Sequence, residues 1–116
     1  MSEGLYPKAT QAIAEQRHKL APETHDAFVA FSKQVFADGA LDAKTKQLIA
    51  VAVAHTTQCG YCIQGHTKGA LRAGATDAQI MEAIWVAAEM RAGGAYAHST
   101  VALDTINQVH GREKGK

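Results

Sequence analysis

Both cysteines of the 116-residue chain, and two of its six histidines, fall in one stretch, His55-Thr56-Thr57-Gln58-Cys59-Gly60-Tyr61-Cys62-Ile63-Gln64-Gly65-His66. Two thiols at Cys-x-x-Cys spacing can close to a disulfide and reopen. If the segment is helical, Cys59, Cys62 and His66 stand at i, i+3 and i+7, within roughly 60° of one another at about 100° per residue. One helix face then carries two thiols and an imidazole. A thiol attacks as its thiolate, and the unpaired N–H groups and positive dipole end of a helix's first turn lower a thiol pKa from about 8.5. His66, four residues beyond Cys62, is placed to take its proton or pair with its thiolate. Cys62 is therefore the expected attacking sulfur and Cys59 the resolving one, although position alone, by thioredoxin-like logic, selects the first cysteine.

Two other uses of the pair compete. The cysteines could be inert core residues, or Cys59, Cys62 and His66 could join His55 or His98 in a two-Cys, two-His zinc site. A continuous helix sets its ligands in a row rather than around a tetrahedron, so the expectation is a redox pair with no metal and no other cofactor. His18, His25 and His110 lack such company and read as surface residues. His55 and His98 sit among apolar neighbours and read as structural histidines before catalytic ones.

The elements that must position this stretch read as helices. Alanine supplies 23 residues and proline two, which favours close-packed helices over a thick core of large side chains. The chain is the length of one domain, with its core expected over about 20–111 and a disordered tail at 112–116. Apolar positions recur at helical spacing from Tyr6 to Leu20, and again from Pro22 to Ala37, where all three phenylalanines lie (Phe28, Phe31, Phe36), as core, subunit interface or a substrate-facing wall. Asp42 is placed to cap a third helix whose body, residues 48–54, is apolar on every side and so expected to be buried. A fourth helix should start near Cys59 or Gly60 and stop at Gly74. Thr76 and Gln79 form a capping box for a fifth, Gly93-Gly94 should end it, and a sixth should run from about Ala95 to Val109. The reading is all-α, about six helices.

A net charge of +1 and the absence of a basic stripe interleaved with aromatics argue against nucleic acid as a partner. No unbroken apolar run marks a signal or a membrane span, so a cytoplasmic protein is expected, where a lone cysteine pair points to redox cycling or metal rather than a structural staple.

The runs Leu48 to Thr76 and Ile84 to Ser99, with Cys-x-x-Cys-x-x-x-His followed by Gly74-Ala75-Thr76, resemble the carboxymuconolactone decarboxylase family, in particular its alkylhydroperoxidase D-like branch. The resemblance covers about half the chain. It implies an alkylhydroperoxidase D-like helical fold, a homo-trimer or homo-hexamer, and a thiol-dependent peroxidase or disulfide reductase. It also implies that Cys62 meets the peroxide, Cys59 resolves and His66 serves a proton relay. The family's glutamate is replaced by Gln47, which cannot carry a proton, and Tyr61 stands where known peroxidase members have histidine; weak peroxide turnover follows. Candidate relay or pocket residues are Gln47, His55, Tyr61, Glu89 and His98. The expected reaction is reduction of a small peroxide by a dithiol donor. The alternatives are a disulfide reductase or a decarboxylase-like enzyme on a small molecule, and, further off, a non-catalytic metal-binding or scaffold module.

Overall fold

Five helices make up the described residues, and most begin at a side chain suited to holding the first free N–H groups. The computed structural model describes residues 6–111, so the expected tail at 112–116 lies outside the described residues. Helix α1 (Gln11–Leu20) is capped by Thr10, whose hydroxyl accepts from the Ile13 N–H. One residue, Ala21, separates it from α2 (Pro22–Phe36), which opens on a proline that has no N–H to leave unpaired. Helix α3 (Ala43–Thr57) is capped by Asp42, whose carboxylate accepts from Thr45 N at 2.8 Å. The hydrogen bonds from Thr45 hold the Asp42 carboxyl below its ordinary pKa. Helix α4 (Gly60–Arg72) follows, and Gly74 then takes a φ of +97° that a side chain would strain. Helix α5 (Asp77–His110) starts at the Thr76/Gln79 capping box, both hydrogen bonds of which form.

The all-α expectation holds, but the fifth and sixth helices are one. Helix α5 is 34 residues long and passes through Gly93 and Gly94 without a break. A helical glycine costs only about 0.5–1 kcal/mol relative to alanine, and this pair is flanked by Ala88, Ala92, Ala95 and Ala97, so local propensity carries the helix across.

Helix α3 lies between α4 and α5 and packs on both, whereas α1 packs on α2 alone. The core is small: Val51 of α3, Ala70 of α4, Ala75 and Ile80 of α5's entry, with Leu48 and Ile84 packed around them. Alanine at position 70 lets α3 and α4 approach closely. The expectation that residues 48–54 are buried on every side fails on one face. Val51 and Ala54 are buried, while Ile49 and Val53 are 47% and 50% exposed. The molecule is elongated, 61 × 35 × 34 Å. Among the described residues, no helix is long and apolar enough to cross a membrane.

Candidate active site at the α3–α4 corner

The turn between α3 and α4 is made by two residues and tied down on several sides. Gln58 adopts the left-handed conformation (φ 62°, ψ 42°), ending α3 and reversing the chain so that Cys59 becomes the N-cap of α4. Three of the carbonyls at the end of α3 find donors in or across the turn. Ala54 O accepts from the N–H groups of Gln58 and of Cys59, His55 O from Gln58 Nε2, and Thr56 O from Arg91 Nη1 of α5 at 2.7 Å. The Arg91 guanidinium also places positive charge at the negative end of the α3 dipole.

Cys59 and Cys62 are joined in a disulfide, their Cα atoms 5.2 Å apart. As N-cap, Cys59 turns its Sγ over the first turn of α4, where it accepts the Cys62 N–H at 3.2 Å. Cys62 is the third helical residue, and with His66 one turn further along it lines a cavity of about 150 Å³ shared with Ala50, Val53, Ala54 and Thr57. Cys62 and His66 thus share a helix face. Cys59 reaches them from the cap rather than from a full turn of helix.

His66 is fixed from two sides. Its Nδ1 lies 2.9 Å from Gln47 Oε1, and its ring stacks on Phe36 with centroids 5.0 Å apart and planes 25° apart. An amide oxygen only accepts, so with Oε1 as the partner Nδ1 is the donor of this bond. Gln47 therefore acts on the imidazole rather than directly on the cysteine pair. Glycine at 69 makes room for it, since a Cβ there would stand 2.7 Å from Gln47 Oε1. Beyond Ala50 and Val53 the site continues into a second, apolar cavity of about 370 Å³, walled also by Val35, Phe36, Lys46 and Ile49.

The other candidates lie elsewhere within the chain. Tyr61 points away from the Cys62 cavity: its hydroxyl donates to Pro7 O at 2.6 Å and its ring packs against Tyr6, beside a separate cavity lined also by Gly60, Gln64 and Lys68. His55 donates from Nδ1 to Val51 O at 2.8 Å, and His98 likewise to Gly94 O at 3.0 Å, the pairing of structural histidines. Glu89 is exposed, its carboxylate alongside Gly93 of its own helix. Sequence reasoning had no signal for Arg91. It missed Gly69 too, although that residue lies three positions beyond His66 on the same side of α4. It named Phe36 only as core, interface or wall. The reading of His18 and His25 as unaccompanied is corrected, because the α1–α2 turn brings them together with Asp26.

The sequence profile of the carboxymuconolactone decarboxylase family matches residues 22–105. A Paracoccus denitrificans relative, "Uncharacterized protein 4 in cox locus", is 60% identical over 111 residues, 96% of this chain and 99% of the relative. The crystal structure of a carboxymuconolactone decarboxylase family protein from Legionella pneumophila is 32% identical, covers 85% of this chain and 91% of that one, and superposes with a TM-score of 0.65. A Thermotoga maritima protein described in the same family, for which involvement in an antioxidative response has been raised, is 26% identical over 80% of this chain and 96% of its own, with a TM-score of 0.56.

Proposed function

The chain belongs to the carboxymuconolactone decarboxylase family, and from that premise we propose that it is a thiol-dependent oxidoreductase whose Cys59/Cys62 pair reduces small peroxides with electrons from a dithiol. The observation that carries this reading is the opening of Cys62, and not Cys59, onto a cavity it shares with the His66 imidazole, which Gln47 holds by Nδ1. In the reduced protein His66 Nε2 takes the Cys62 proton. The thiolate attacks the distal peroxide oxygen, the O–O bond breaks, and the leaving alkoxide recovers the proton as an alcohol, leaving Cys62 as a sulfenic acid. Cys59 then attacks that sulfur, water leaves, and the disulfide forms. A dithiol reduces the disulfide by exchange and is itself oxidised. No metal or further cofactor enters this cycle.

The apolar cavity beyond Ala50 and Val53 suits a peroxide with an organic group, and Phe36 serves as a wall to it as well as a support to His66. Gln47 orients the imidazole but cannot exchange a proton with solvent, which makes the relay short and the turnover slow. That same substitution favours a second reading, a disulfide reductase, in which the pair exchanges with another disulfide and no O–O cleavage is needed. We place the protein in a reducing compartment such as the cytoplasm, where dithiol donors are available, and assemble it as a trimer or hexamer.

The test is a thiol titration of reduced protein before and after one equivalent of an organic hydroperoxide, followed by turnover with a dithiol. Loss of two thiols per chain within seconds, with alcohol formed in equal amount, supports the peroxidase. Two thiols surviving peroxide but lost to a small disulfide select the reductase, and thiols inert to both overturn the redox assignment.

A further inference from the structure

We propose that the α1–α2 corner binds a divalent transition-metal ion of the zinc class through His18, His25 and Asp26, independently of the cysteine site. Three side chains from two helices converge there because a single residue, Ala21, joins the last turn of α1 to the first turn of α2. One donor atom from each of the three lies within 4.8 Å of both others. His18 Nε2 stands 3.0 Å from Asp26 Oδ1, and His25 Nδ1 stands 3.9 Å from the same oxygen. The two imidazoles meet edge to face, centroids 5.2 Å apart. An ion with bonds of about 2.0–2.2 Å holds its ligand atoms roughly 3–4.3 Å apart, so both measured separations already suit a shared ion.

A second observation points the same way. His25 Nδ1 is shut off from solvent and has no hydrogen-bond partner, although it faces the cluster. The ring around it is 28% exposed and the His18 and Asp26 side chains are 44% and 70% exposed, so an ion can enter from solvent and give the shielded nitrogen a partner between His18 and Asp26. The existing His18–Asp26 hydrogen bond would be exchanged for two bonds to the metal. Two imidazole nitrogens and one carboxylate oxygen select zinc, cobalt, nickel or copper over calcium and magnesium, which require oxygen-rich shells, and they leave a coordination position for water. The consequence is mechanical. Helix α1 packs on no helix but α2, and an ion bridging the last turn of one to the first turn of the other would brace it.

The experiment uses untagged full-length protein, oxidised so that both cysteines are tied up, and titrated with zinc sulfate by calorimetry and with cobalt(II) by visible absorption. One equivalent per chain is expected, with a cobalt spectrum free of thiolate charge-transfer bands. The same binding is expected in the Cys59→Ser/Cys62→Ser variant, and its loss in His18→Ala and in His25→Ala. Asp26→Asn should weaken it by about tenfold or more. Zinc should also slow tryptic cleavage at Arg17 and Lys19 in the wild type and leave the rate unchanged in His25→Ala. Heats no larger than dilution, binding that survives both histidine variants, or binding lost with the cysteines would each overturn the proposal.

Discussion

The two halves of the chain solve the burial problem in opposite ways. Among the described residues, every buried one lies between Val51 and Ala87, around the α3–α4 corner and the first turns of α5. Helices α1 and α2 bury none, and yet α2 carries Phe28 and Phe31, each 65% exposed, with Val29 and Val35 beside them. Helix α2 is thus apolar with much of that surface uncovered, as are Trp85, Val86 and Met90 along α5, and these are the faces on which the proposed trimer or hexamer would assemble. The corner that holds the disulfide has the buried core beside it, whereas the hairpin has none and, on the proposed assembly, would gain its packing from other copies. The proposed redox pair thereby lies in the part of the fold that carries the buried core.

The largest effect should come from breaking the corner's chemistry. His66→Ala removes the base beside Cys62 and should lower peroxide turnover by about 10² to 10⁴, the usual range for a positioned general base. Gln47→Glu should raise turnover by giving the imidazole a partner that can itself exchange a proton, with the pH profile of thiol alkylation shifting in the same variant. His55→Ala and His98→Ala, whose Nδ1 atoms bond their own helices, should leave turnover near wild type. Initial rates of peroxide loss across pH 5 to 9 check all four, and a fast wild type slowed by Gln47→Glu would show that the relay runs through other groups.

Next in size is the core that holds the corner. Ile80 is 8% exposed and packs in the cluster with Val51 and Ala70, so Ile80→Ala should cost about 2–5 kcal/mol, read as a lower urea midpoint. The hairpin should answer differently. Phe28→Asp with Phe31→Asp removes about 1.5–3 kcal/mol of apolar burial per side chain from contacts between copies, and it should turn a trimer or hexamer into monomers by sedimentation while Cys59 and Cys62 still close to a disulfide. A wild type that sediments as a monomer, or a variant that loses the disulfide along with the assembly, would undo the contrast between the two regions.

How much of this was legible in the sequence follows the same division. Local signals were read well: Asp42, the Thr76/Gln79 box, Pro22 and Gly74 all act through backbone groups a few residues away, and each sits at the helix end its chemistry suggests. The cysteine motif was legible because its spacing on one helix fixes its geometry. What sequence could not give depends on contacts distant along the chain. Gln47 reaches His66 across α3 and α4, Phe36 reaches it from α2, and Arg91 closes the end of α3 from α5. The sixth helix was overcounted because two glycines were read as a stop, when the alanines around them outweigh a penalty of about 1 kcal/mol each. The apolar run 48–54 was expected to be wholly inside because an unbroken apolar run carries no periodicity to mark the face that stays exposed, here Ile49 and Val53.

The smallest effect separates the two turns themselves. Ala21, between α1 and α2, has φ −158°, outside the left-handed region, whereas Gln58, between α3 and α4, is held at φ 62°. A side chain in the left-handed region costs roughly 1–2 kcal/mol, which glycine avoids, while glycine gives back about 0.5–1 kcal/mol through the freedom of its unfolded chain. Gln58→Gly also loses the bond from Gln58 Nε2 to His55 O, at 3.2 Å on the surface and so of small net value. The balance favours glycine by less than about 1 kcal/mol, seen as a higher urea midpoint at unchanged slope. A lower midpoint would mean that the amide bond to His55 O outweighs the backbone strain, and that Gln58 stands next to Cys59 because its side chain closes the corner.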